Sequence, residues 1–153
     1  RCALAGTSCC KNHQIVLTTG DFERIARFTG NQDFSVTGPL IVEEIQTDYD
    51  PQWLPLIMES GNHVKFLRRT PEKTCILLTE NGCQLPFDHR PLMCRLYPYT
   101  YTEDDILGID TACPISKENE WTKILEQLEM PSQKAREWRA MLYSEIRMPQ
   151  ALI

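Results

Sequence analysis

The chain carries seven cysteines in 153 residues, and they fall into two groups. Cys2, Cys9 and Cys10 stand at the start, and Cys75, Cys83, Cys94 and Cys113 follow a cysteine-free stretch over 11–74. Two sulfur-rich groups flanking such a stretch point to one site assembled from two parts of the chain. An odd count leaves one thiol over from any fully paired disulfide framework. A bond between the neighbours Cys9 and Cys10 is strained, so each would need a distant partner. Thiolates gathered on a soft metal, or on iron with sulfide, have no parity requirement. The expected chemistry is therefore a metal or iron–sulfur site, with all seven cysteines as candidate ligands.

A sulfur donor set excludes hard cations and leaves zinc, iron–sulfur and copper(I). A tetrahedral zinc site or a 4Fe–4S cubane needs only about four thiolates. The surplus points to a second metal, bridging cysteines or a redox-active pair. Structural zinc sites usually show cysteines paired two to four residues apart. Here six residues separate Cys2 from Cys9, seven separate Cys75 from Cys83, ten lie before Cys94 and eighteen before Cys113. That irregularity favours an iron–sulfur centre, 4Fe–4S before other forms, with zinc as the alternative. Cys75, Cys83, Cys94 and Cys113 would make a complete set by themselves, with Cys9 and Cys10 as the complement.

Arg95 is the candidate cofactor-contacting residue, because a guanidinium beside Cys94 favours the thiolate and can donate to sulfur. Arg90 offers the same chemistry. His13, His63 and His89 are accessory candidates, although a lone His is more often an ordinary surface or hydrogen-bonded side chain. Spacing shows no Ser/His/Asp arrangement, paired carboxylates or P-loop, so no catalytic residue is assigned.

Composition narrows the partners. A chain of this length fits one domain over 1–153 and buries about two-thirds of its unfolded surface, so it needs no disulfide staples. Net charge is −5 with pI near 5.2, and the densest basic patch is only Lys65, Arg68 and Arg69. Nucleic acid is not expected as a partner. No apolar stretch approaches the roughly 18 residues that span a bilayer, so no membrane association is expected either. The opening Arg1–Gly6 has no signal-peptide h-region and no initiator Met, which points to processing and to a cytoplasmic setting. Any macromolecular partner is expected to be a protein, of unknown identity.

The elements that must position the cysteines read as α+β. Thr18 caps a helix over Thr19–Thr29, with Asp21 at the capping-box position, an apolar stripe of Phe22, Ile25, Ala26 and Phe28, and Gly30 at C′. Its polar face carries Glu23, Arg24 and Arg27 with no ligand-like pair, so its expected role is packing. Short helices are weakly indicated over 40–48 and 51–59. From His63 the pattern turns to strands: 64–68, then 75–79 pairing with 83–85 across Asn81-Gly82, which would bring Cys75 near Cys83. Pro91 opens a helical turn holding Cys94, and Pro98 ends it. A second hairpin pairs 99–102 with 106–109 across Glu103-Asp104-Asp105 and delivers Cys113-Pro114. Residues 116–147 form a C-terminal helical hairpin, broken at Met130-Pro131-Ser132, with Ser132 capping the second helix. Its Trp and Met stripe is expected to be core.

Three blocks carry a family resemblance. They are Cys2-Ala-Leu-Ala-Gly-Thr-Ser-Cys9-Cys10, the helix signature from Leu17-Thr18 through Asp21, Arg24, Ile25 and Ala26, and Cys75 through Gly82-Cys83 and Leu85 to Arg90-Pro91-Leu-Met-Cys94-Arg95-Leu-Tyr97-Pro98, with Cys113-Pro114 downstream. The chain resembles the YkgJ-type cysteine-cluster proteins, with their CxxCxxCC zinc- or iron-chelating domain. The resemblance departs from the family at one point: Gly6 stands where the inner cysteine falls and Cys2 is shifted by one. It implies a zinc- or iron-chelating site, and for an iron–sulfur or other metal on these thiolates the expected work is redox, electron transfer or maturation. Structural zinc in an interaction module is the alternative. Flagellin lysine N-methylases resemble the same domain, which keeps a methyltransferase-like enzyme open, although no glycine-rich S-adenosylmethionine loop is evident.

Overall fold

The computed structural model describes residues 11, 13–44, 63–111 and 113–147. Within them four α-helices and three antiparallel two-stranded sheets give an α+β fold. Helix α1 spans Thr19–Thr29 as the sequence predicts. The Thr18 hydroxyl accepts the Asp21 N–H (2.9 Å), and the Asp21 carboxylate accepts the Thr18 N–H (3.0 Å), a reciprocal capping box. Gly30 ends the helix at φ 75°, where a Cβ would be strained, and its N–H closes on the Ala26 carbonyl. Phe22 and Ile25 are buried, but Phe28 is 49% exposed and packs on the His89 ring at 4.7 Å. The buried stripe is therefore narrower than expected.

Strand β1 (Ser35–Pro39), absent from the sequence reading, pairs antiparallel with β2 (His63–Leu67). Residues 15–17 run along the other edge of β2. Leu17 N–H donates to the Lys65 carbonyl (2.8 Å), and Leu67 N–H donates to that of Ile15 (2.9 Å). Their side chains alternate as extended chain requires: Ile15 and Leu17 enter one core and Val16 the other. Of the helix expected over 40–48, the described part is a 3₁₀ turn at Val42–Glu44; the helix expected over 51–59 lies outside the described residues.

The first hairpin is shorter than expected. β3 is Leu78–Thr79 and β4 is Gly82–Cys83, with Glu80-Asn81 as the turn. Thr79 fixes that register: its hydroxyl donates to the Gly82 carbonyl (2.7 Å) and accepts the Asn81 N–H (3.2 Å). Gly82, at φ 103°, then begins the return strand.

Helix α2 is Leu92–Leu96, preceded by Pro91. Five residues cannot hold a helix alone. Burial of Leu92 and Leu96, both fully inaccessible, supplies on the order of 2 kcal/mol each. β5 (Tyr99–Tyr101) and β6 (Ile106–Ile109) form the expected second hairpin. A 3₁₀ turn at Pro114–Lys117 leads to α3 (Trp121–Gln127) and α4 (Ser132–Ile146). Ser132 is not the cap. Pro131 occupies that position without a side-chain bond, and Ser132 is the first helical residue. Helix α4 buries Ala135, Trp138, Leu142, Tyr143 and Ile146 and packs on α2 and β6, whereas Met141 lies off this face. Among the described residues, no helix is long and apolar enough to cross a membrane.

Two cores result. The first joins Val64, α2, Tyr99, Leu125 and the α4 face. The second gathers Ile15, Leu17, Phe22, Ile25, Phe34, Leu67, Leu77 and Leu85. Helix α2 lies between them: Leu92, Met93 and Leu96 enter the first, and Cys94 packs on the second.

Candidate metal centre

Three of the predicted ligands meet the same core. Cys75 is a buried member of the second cluster, and the half-buried Cys83 and Cys94 pack against it. Each arrives on a different element. Cys75 follows the 70–74 turn and bridges Arg69 rather than joining the hairpin strand. Cys83 sits in β4 opposite Leu78, and Cys94 is the third residue of α2. The expectation that one hairpin ladder brings Cys75 to Cys83 is thus corrected: the ladder stops at Leu78, and the two share a core instead. Cys113 is buried outside this cluster, at the start of the Pro114–Lys117 turn, where its carbonyl accepts the Ser116 hydroxyl (2.7 Å).

The turn ahead of Cys75 is held by Glu44. Its carboxylate pairs with Arg69 (2.8 Å) and Lys73, and its carbonyl accepts the Gln14 N–H (2.8 Å). The Lys73 hydrogen bond, with Arg69, keeps the Glu44 carboxyl below the ordinary glutamate value.

Cys94 depends on a second carboxylate. Asp21 is wholly buried, and its Oδ1 accepts the backbone N–H of Leu92 at 3.0 Å, the first residue of α2. The same oxygen takes Arg24 Nη2 at 2.7 Å. Arg24 continues to Glu145 on α4, with contacts of 2.6 and 3.1 Å, and Glu145 also accepts the Thr18 hydroxyl. Burial pushes the Asp21 carboxyl up, opposed by the Thr18 N–H and the Arg24 guanidinium. From sequence, Asp21 reads as a capping residue and Arg24 only as part of the polar face of α1. The i,i+3 Asp–Arg spacing was the available signal for their pairing.

Arg95 is buried and spans two carbonyls. Its Nε donates to Arg90 (2.8 Å) and its Nη2 to Asp88. Those bonds fold the 88–90 segment back onto α2. Arg90 in turn donates to the Leu85 carbonyl (3.1 Å), tying the segment to the second core. His13 bonds the Lys11 carbonyl through Nδ1 (2.9 Å), His63 begins β2 at the surface, and His89 packs on Phe28.

Among the described residues, no three His, Cys, Asp or Glu side chains stand together as a group able to hold a metal ion. The donor chemistry of Cys75, Cys83 and Cys94 fits a thiophilic metal: three sulfurs set on or against one apolar core. Cys2, Cys9 and Cys10, the other predicted ligands, lie outside the described residues.

Residues 1–123 match the CxxCxxCC putative zinc- or iron-chelating domain, the YkgJ-type domain, and the chain belongs to that family. No curated protein and no solved structure matches it. Metal binding of the zinc- or iron-chelating kind is thus the family's function class.

Proposed function

We propose that the chain carries an iron–sulfur cluster, 4Fe–4S in form, and serves in electron transfer, redox chemistry or maturation. The observation that carries this is the delivery of Cys75, Cys83 and Cys94 from three separate elements to one apolar core. The family's zinc- or iron-chelating character supports it. Cys113 and the N-terminal Cys2, Cys9 and Cys10 would supply the remaining thiolates. When bound, such a cluster supplies one-electron chemistry, and an apolar shell tunes its potential. The chain's own residues hold the ligand-bearing segments: Glu44 the turn before Cys75, Thr79 the hairpin of Cys83, and Asp21 the helix of Cys94.

Anaerobic purification followed by absorption spectroscopy and elemental analysis tests the proposal. A brown protein absorbing near 400 nm, with iron and sulfide in equal amounts, is expected. A colourless protein with stoichiometric zinc would instead make it a structural-zinc module, and chelation should then unfold it without a redox signal.

A further inference from the structure

The family match ends at residue 123, yet Glu145 on α4 reaches back into the family's helix signature. We infer that Glu145 is a positioning residue for the metal site, acting on Cys94 through Arg24, Asp21 and the start of α2. This rests on the proposal that Cys94 is a metal ligand.

The chain of contacts is continuous. The Glu145 carboxylate holds both terminal nitrogens of Arg24 (2.6 and 3.1 Å). Arg24 Nη2 holds Asp21 Oδ1 (2.7 Å), and that oxygen accepts the Leu92 N–H (3.0 Å) two residues before Cys94. The first N–H groups of a helix have no partner within it, so Asp21 satisfies a donor that α2 cannot satisfy itself. Glu145 also lies at the N-terminal turn of α1, where helix-dipole attraction favours an anion. Space is shaped to it: a Cβ built on Gly20 would fall on the Glu145 carboxylate. Without Glu145, the Arg24 side chain, already 24% exposed, keeps Asp21 as its one carboxylate partner among the described residues and can turn to solvent. Asp21 is then left to hold α2 without a fixed counter-charge. Helix α4, beyond the family-matched residues, thereby becomes part of the metal site's support.

Cobalt(II) titration of the full chain, stripped of metal under anaerobic conditions, tests this through affinity and the sulfur-to-metal charge-transfer band. Glu145→Ala should weaken cobalt(II) binding about tenfold, the usual effect of losing outer-shell support, and should dim the band. Gly20→Ala, which displaces the carboxylate while leaving Glu145 in place, should do the same. Leu125→Ala, which opens the core at α3 without touching the network, should lower melting temperature but leave affinity and band intact. In metal-free protein, alkylation of Cys94 read by peptide mass spectrometry should quicken several-fold in Glu145→Ala and not in Leu125→Ala. Wild-type binding that Glu145→Ala and Gly20→Ala leave unchanged, or that Leu125→Ala weakens equally, overturns the inference alone. A wild-type chain that binds no cobalt(II), or binds it equally with Cys94→Ser, overturns the metal assignment of Cys94 and the inference with it.

Discussion

The Asp21 carboxylate accepts the Leu92 backbone N–H at 3.0 Å across 71 positions of sequence. One buried side chain thus closes the N-terminal cap of α1 and holds the first turn of the helix that carries Cys94. Removing one partner from a buried, hydrogen-bonded ion pair costs about 3–5 kcal/mol. Arg24 remains partly exposed and can re-solvate, so the lower end applies. Asp21→Ala should destabilise the protein by about 3 kcal/mol, measured by urea unfolding. A loss near the ~1 kcal/mol of an ordinary cap would mean that the contact to Leu92 contributes little.

Gly20 provides a test of the Glu145 contact by coupling. In an open helix position Gly→Ala gains up to about 1 kcal/mol. Here the added methyl meets the Glu145 carboxylate, so Gly20→Ala should instead destabilise by about 1–2 kcal/mol. In a Glu145→Ala background the same substitution should be neutral or stabilising. The difference, read as a double-mutant cycle in urea, should exceed about 1 kcal/mol.

Glu44 gives the pH dependence a sign. Its folded carboxyl lies below the ordinary value of 4.5 because Lys73 and Arg69 bond its charged form. Its contribution is complete above the unfolded value and is lost as pH falls through the lower folded one. Glu44→Gln should cost about 1 kcal/mol at neutral pH, since Lys73 is exposed and screened. It should also flatten the acid limb of the stability profile below about pH 4.5. An acid limb identical to wild type would remove Glu44 from it.

Arg95→Lys separates charge from shape. A lysine keeps the positive charge at position 95 but has no planar fork to span the Asp88 and Arg90 carbonyls. The variant should lose about 1–2 kcal/mol in thermal unfolding. Full stability in the lysine variant would show that charge alone suffices there.

How much of this was legible follows from range. Helix α1 is readable to the residue because Thr18, Asp21, the buried pair Phe22 and Ile25, and Gly30 act within a few positions of one another. The helix of Cys94 is readable because Pro91 precedes it and Pro98 follows it. Strand β1 is not, because Gly38-Pro39 reads as a breaker and the strand forms only by pairing with β2. The register of the Cys83 hairpin is set by the Thr79 hydroxyl, which overrides the Asn81-Gly82 turn signal. Glu145 carries no local signal at all; its partner Arg24 lies 121 positions away. At the candidate site, the cysteines announce themselves by type, whereas the carboxylates that hold them become visible only in three dimensions.

The cysteine assignment itself faces its most direct test in metal content. Cys83→Ser and Cys94→Ser, purified anaerobically beside the wild type, should each lose most of the bound iron or zinc in elemental analysis while keeping wild-type far-ultraviolet circular dichroism. Metal content equal to wild type in either variant would contradict the assignment of that cysteine and the thiolate site built on it.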